Sequence, residues 1–252
     1  MIVRKTPEQI EKMAAAGEVL VRCLKMLERK ARAGVTTGDL DAAAEKYIRS
    51  QGATPAFKGY RGFPGSICAS PNSMVVHGIP GAYELKRGDV ISIDVGVVKD
   101  GWVADAAITV PIGEVEPEAR KLLDVTKASL FAGIEQMRPG NHLGDVSAAI
   151  QRSVEAEGMS IIRTLVGHGI GRDMHEEPQV PNFGEPGKGP ELEEGMVLAI
   201  EPMVNAGGPL VRMDEDGWSI YSEDDSLAAH FEFTVAVTAD GPRVLTPWHE
   251  AD

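Results

Sequence analysis

GVTTGDLDAAAEKYIRSQG, residues 34–52, and GNHLGDVSAAIQRSVEAEG, residues 140–158, align without a gap and share Gly34/Gly140, Gly38/Gly144, Asp39/Asp145, Ala42/Ala148, Ala43/Ala149 and Gly52/Gly158. Helix composition alone could give part of this match. A second match in the same order is harder to dismiss: ELKRGDVISID at 84–94 aligns with ELEEGMVLAIE at 191–201, two apolar runs that each end in a carboxylate. The tripeptide HGI also recurs, at His77 and at His168. Repeated order of this kind points to an internal duplication, with copies over about 6–113 and 117–248 inside one domain spanning 1–252.

Local signals set the content of each copy. Thr6, Pro7 and Gln9 form a capping-box pattern with proline at the first helical position, which predicts a helix ending near Gly34. A second helix is expected from Thr37 to about Gln51. VISIDVGVV and WVADAAITV then read as strands separated by Lys99, Asp100 and Gly101, a hairpin signal. Two such helix-helix-strand-strand units predict an α+β fold, a central antiparallel sheet covered on one face by helices, with the opposite concave face open for chemistry.

Composition narrows the function. The 252 residues are 43% hydrophobic and 25% charged, enough for a sizeable core, and 25 basic against 38 acidic residues give a net charge of -13. Such a surface repels phosphate backbones and anionic lipid, and no nucleic-acid motif is present. No apolar run approaches the roughly 18 residues of a membrane span, and no signal-peptide pattern opens the chain, so a cytoplasmic location is expected. Cys23 and Cys68 are too few for a disulfide framework.

The carboxylates carry the chemistry. With a four-residue loop at 98–101, Asp94 and Asp105 would lie opposite each other on one face of the hairpin. Their apolar neighbours imply burial, so two ionised groups there require a cation or a raised pKa. The matching positions in the second copy are Glu201 and, on HFEFTVAVT, Glu232; His168, set between glycines, adds a neutral donor. One aspartate in an apolar strand is ordinarily a satisfied edge residue. The five together fit a dinuclear metal site better.

CASPNSMVVHGIP, VISIDVG, WVADAAITV, GHGIGRDMHEEPQV, LAIEPM, DGW and FEFTV occur in an order and spacing that resembles the type I methionine aminopeptidases of bacterial size, members of the pita-bread metallopeptidases, from about residue 3 to residue 248. The resemblance implies a pita-bread fold and a metal-dependent aminopeptidase acting on the amino termini of nascent polypeptides whose second residue is small. It makes Asp94, Asp105, His168, Glu201 and Glu232 the ligands of two divalent ions, with Asp105 and Glu232 bridging. Glu201 would also move the proton, His175 would stabilise the oxyanion and His77 would bond the substrate amide. A ligand set of four carboxylates and one histidine suits Mn, Fe(II) or Co at least as well as Zn.

The resemblance also implies a methionine pocket lined by Tyr60, Phe63, Cys68, His77 and Trp218, with Met174, next to His175, at its wall. Each ring could instead be ordinary core packing; Trp218, inside the acidic run MDEDGWSIYSEDDS, is the one that demands a contact. Met174, His230 and Phe233 depart from the family's common residues, and strand alternation puts His230, not Phe233, on the face of Glu232. The alternatives are a proline-directed pita-bread aminopeptidase or dipeptidase, and a non-enzymatic binding protein on the same scaffold. A monomer is expected, with the ribosome as a candidate partner.

Overall fold

The computed structural model describes residues 1–250; Ala251 and Asp252, the end of the expected domain, lie outside the described residues. The first half runs α1 (Pro7–Lys30), α2 (Thr37–Ser50), β1 (Thr54–Pro55), a single 3-10 turn (Tyr60–Gly62), β2 (Cys68–Pro71), β3 (Met74–Val76), β4 (Val90–Lys99) and β5 (Trp102–Pro111). The second runs α3 (Pro117–Ile134), α4 (Leu143–Glu155), β6 (Ser160–Ile161), β7 (Val166–Gly169), β8 (Glu176–Pro181), β9 (Val197–Ile200), β10 (Met203–Asn205), β11 (Val211–Met213), β12 (Ile220–Ser222), β13 (Ala228–His230), β14 (Phe233–Thr238) and β15 (Gly241–Val244). The Thr6–Gln9 capping box and Pro7 start α1 as the sequence predicts.

Strand alternation divides the chemistry cleanly. In the β4–β5 ladder, Ile91 pairs with Val110, Ile93 with Ile108, Val95 with Ala106 and Val97 with Ala104. This row packs under Leu20, Leu24 and Leu27 of α1 in the main core. Fully burying such a side chain is worth roughly 1.5–3 kcal/mol, so the helix side of the sheet fixes which way each strand faces. The opposite row holds Ser92, Asp94, Asp105 and Thr109, polar residues that the register leaves on the concave side. The second half repeats the division: Leu198, Ile200, Phe233 and Val235 join the core, while His168, Ala199 and Thr234 share the other face.

The two principal sheets, β4 with β1, β2 and β5, and β15-β14-β9-β7-β8, meet between β5 and β14. Threonine hydroxyls carry this seam. Thr234 Oγ1 accepts from the Asp105 N–H at 3.0 Å and donates to the Asp105 carbonyl at 2.8 Å. Thr109 Oγ1 does the same for His230, at 2.9 and 2.8 Å. The Glu232 N–H donates to the Ala107 carbonyl at 3.0 Å. One hydroxyl thus satisfies both polar groups of a buried residue that no strand partner serves.

Backbone bonds recur between the halves. The Gly34 N–H reaches the Leu85 carbonyl at 2.9 Å, and the Gly140 N–H reaches that of Leu192 at 3.0 Å. Thr36 bridges Glu84, as His142 bridges Glu191. The recurrence of HGI, by contrast, does not mark equivalent places. His168 lies in β7 beside β9, whereas His77 follows β3, which pairs with β12 rather than β4.

Candidate active site

The hairpin that presents Asp94 and Asp105 is tighter than the sequence reading supposed. Its turn is Asp100–Gly101, both at positive φ (51° and 74°), as a two-residue hairpin turn requires. Ten-residue strands flank it, and the register places Asp94 opposite Ala107 and Asp105 opposite Gly96. The two carboxylates are therefore diagonal neighbours rather than directly opposed. They still share the concave face.

The second half brings its groups from strand ends. Glu201 follows β9, where Asn182 Nδ2 holds its carbonyl at 3.0 Å and Pro202 stops the ladder. Glu232 precedes β14, and its carbonyl accepts from Trp248 Nε1 at 2.9 Å. His168 projects from β7, where the Gly167 backbone lies so close to β9 that an added β-carbon would collide with the Ala199 carbonyl. His168 Nδ1 lies 2.9 Å from the Gly169 carbonyl. A carbonyl only accepts, so the proton is on Nδ1 and the Nε2 lone pair faces the acids.

These donors face one another without bonding. His168 Nε2 is 3.6 Å from Glu201 Oε1 and 4.0 Å from Asp105 Oδ2, beyond a good hydrogen bond. His230 Nε2 lies 3.7 Å from Glu201 Oε2 and 3.8 Å from Glu232 Oε2. Asp94 Oδ1, Asp105 Oδ1, Glu232 Oε1 and both ring nitrogens of His230 are buried with no hydrogen-bond partner. Burial pushes Asp94 up to about 7, and burial with neighbouring acids drives Asp105, Glu201 and Glu232 well above the carboxylate range. Burial lowers His168 to about 4, keeping the ring neutral. Orphaned acids around a neutral imidazole lone pair are a donor set that fits a divalent cation. Among the described residues, Asp105, His168 and Glu232 are the group that offers ligand atoms all within 4.8 Å of one another.

Above the donors opens a cavity of about 200 Å³ whose lining includes Tyr60, Phe63, Cys68, His77, His175 and Trp218. The acidic run forms the β11–β12 hairpin, and Ile220 of β12 pairs with Val76 beside His77, which carries Trp218 to the first half. There Trp218 packs edge-on to Phe63 at 5.1 Å and to His77 at 6.5 Å. Tyr60 stacks on His175 at 5.4 Å, and its hydroxyl lies 2.8 Å from His175 Nδ1. His175 in turn leans on His168 at 4.2 Å. Cys68 pairs with Asp94, and burial beside that acid raises its thiol well above the usual range, which suits packing rather than nucleophilic attack.

Met174 does not line this cavity. Its side chain is buried in a cluster with Trp102, Val103 and Ile170, against which the partly buried Phe57 and Tyr60 pack. It occupies space left by Gly96, where a β-carbon would fall 2.8 Å from the Met174 methyl group and 2.7 Å from the Phe57 ring. Phe57, which the sequence reading missed, forms that part of the wall, and Arg61 lines the cavity beside it. His230 reaches the donors while Phe233 stacks on Trp248 at 4.6 Å, as alternation indicated.

Residues 11–239 match the model of metallopeptidase family M24. A methionine aminopeptidase of Clostridium perfringens is 51% identical over 98% of this chain and 99% of its own length. The crystal structure of methionine aminopeptidase from Rickettsia prowazekii, a pita-bread enzyme, superposes with a TM-score of 0.96 at 41% identity over 98% of this chain and 100% of that one. A prolidase from Pyrococcus furiosus shares the fold, with a TM-score of 0.78 at 22% identity, but this chain covers 65% of it. The chain belongs to metallopeptidase family M24 and has its pita-bread fold.

Proposed function

We propose that this M24 member is a metal-dependent aminopeptidase that removes the amino-terminal methionine from nascent polypeptides when the second residue is small. The observation that carries the reading is a cation-demanding donor cluster on the floor of a cavity whose far wall is apolar, with Phe63, Cys68 and Trp218 placed to enclose an unbranched side chain. Identity to methionine aminopeptidases along nearly the whole chain supports it.

Asp94, Asp105, His168, Glu201 and Glu232 would hold two divalent ions, with Asp105 and Glu232 shared between them. When bound, such ions supply Lewis acidity, lowering the pKa of water and polarising a carbonyl oxygen. Glu201, with Oε1 toward His168 and Oε2 toward His230, takes the proton from the attacking water and delivers it to the leaving amine. With the Tyr60 hydroxyl donating to His175 Nδ1, the imidazole proton sits on Nε2 and can donate to the developing oxyanion. His77, edge-on to Trp218, bonds the amide beyond the scissile bond and crowds the second residue.

Among the described residues no helix is long and apolar enough to cross a membrane. The enzyme works in the cytoplasm as a monomer, on chains leaving the ribosome. The test is methionine release from Met-Ala-Ser with added Mn or Co, against Ala-Pro and proline-ended peptides. Release confined to the methionine peptide is expected, and a preference for leucine, proline or charged first residues would overturn the reading. The prolidase likeness is one of fold, and a non-enzymatic role leaves the intact donor set without a use.

A further inference from the structure

Arg61 is the one lysine or arginine in the lining of the cavity, and the chemistry above gives it no task. Its guanidinium carbon lies 5.3 Å from the centre of the Tyr60 ring, whose hydroxyl engages His175. Arg212 and Arg243 are paired with Asp225 and Glu11, but Arg61 has no carboxylate in ion-pair range among the described residues. Its backbone is left-handed, φ 50° and ψ 23°, between Gly59 at φ 86° and Gly62 at φ 91°. Glycine is the default in such a place, so a long cation is held there against the preference of the backbone. The turn is also fixed: the Gly59 N–H donates to the Phe63 carbonyl at 2.8 Å and the Tyr60 N–H to that of Phe57 at 2.9 Å.

The route of a substrate passes this residue. Its amino end lies by the buried donors and its first side chain by Phe63 and Trp218, so the rest of the chain leaves past the exposed part of the lining, where His175 and Arg61 stand. The surroundings are otherwise acidic: the net charge is -13, and the Trp218 hairpin carries Asp214, Glu215 and Asp216. That field repels acidic segments. We propose that Arg61 binds a carboxylate of the substrate beyond its second residue, an acidic third side chain or the free carboxyl end of a short peptide. This rests on the aminopeptidase reading above.

The test compares kcat/KM for Met-Ala-Asp-amide, Met-Ala-Lys-amide, Met-Ala-Ser-amide and free-acid Met-Ala-Ser on the metal-loaded full chain. The proteins are wild type, Arg61→Gly, which suits the left-handed backbone, and Arg61→Lys, which keeps the charge. Wild type is expected to favour the carboxylate-bearing peptides over the lysine peptide by about three- to tenfold, mainly through KM, and less at high salt. The aspartate and free-acid arms separate the two sources of carboxylate. The advantage should vanish in Arg61→Gly and persist in Arg61→Lys. Equal kcat/KM for acidic and basic peptides in wild type, or an acid preference surviving in Arg61→Gly, would overturn the inference. No release from any peptide, the neutral amide included, would overturn the aminopeptidase reading and this inference with it.

Discussion

The two halves agree in scaffold and differ in how they present acids. Gly34 and Gly140 both adopt φ 89° and make matching bonds to Leu85 and Leu192. The first half then presents Asp94 and Asp105 from the interior of an unbroken hairpin, where the ladder and, at Asp105, the Thr234 hydroxyl fix the backbone. The second presents Glu201 and Glu232 just outside β9 and β14, where Asn182, Trp248 and the seam replace the ladder. Residues released from a ladder can be aimed individually. The second half also supplies His168, from within β7, and His175; in the function proposed above Glu201 moves the proton while Asp94 and Asp105 hold charge.

That division is open to attack, most strongly at Glu201. Glu201→Gln keeps size and one oxygen but removes the proposed base, so turnover should fall on the order of a hundredfold or more while substrate binding suffers less. An active Gln variant would show that the proton moves elsewhere. Chelated protein gives the electrostatic version of the test. Buried acids with folded pKa values above their ordinary 3.8 and 4.5 favour the fold at acid pH, an advantage lost as pH rises from about 4 through the value of about 7 for Asp94. Below about pH 6.5 the buried histidines, with pKa values lowered to about 4 at His168 and about 3 at His230, act in the opposite sense, so the melting temperature of the metal-free protein should fall between pH 7 and pH 9, and divalent cation should reverse much of the fall. A rise over that interval would contradict the burial of these groups.

The seam offers a paired comparison. Thr234→Val and Thr109→Val each strand a buried N–H and carbonyl, of Asp105 and His230, and each should cost about 1–3 kcal/mol in denaturant unfolding. Thr234→Val should also weaken metal binding, because the backbone of Asp105 loses its anchor. Gly34→Ala and Gly140→Ala isolate the scaffold. Nothing lies within 4 Å of a β-carbon added at either, so the cost is backbone strain alone, about 1–2 kcal/mol and nearly equal for the two. Unequal costs would show that the shared bonds carry different loads. The smallest effect is expected at Met174: Met174→Leu should leave the ratio of kcat/KM for methionine over leucine peptides within about twofold, since a volume-conserving change behind Phe57 leaves the wall in place.

The sequence exposed the features that periodicity and repetition encode. Alternation in VISIDVGVV and WVADAAITV separates the helix-facing residues from Asp94 and Asp105, and the duplication leads from them to Glu201 and Glu232. Alternation also found His230. Register was harder to read, because one residue more or fewer in a turn shifts every cross-strand partner: the Asp100–Gly101 turn moved Asp105 from Asp94 to Gly96. Met174 was misplaced because adjacency to His175 was read as shared direction, when the space vacated by Gly96 decides where its thioether goes. Arg61, Phe57 and the threonine seam depend on long-range packing that no local pattern announces. The HGI recurrence shows the converse, a repeat of letters without a repeat of position.

The central claim is that acids from both halves form one metal-dependent centre. Its most direct test is exhaustive chelation, with residual metal measured, followed by turnover of Met-Ala-Ser before and after adding Mn, Co or Fe(II). Activity should disappear with the metal and return with any ion the donors accept. Full turnover at near-zero metal content would contradict the account.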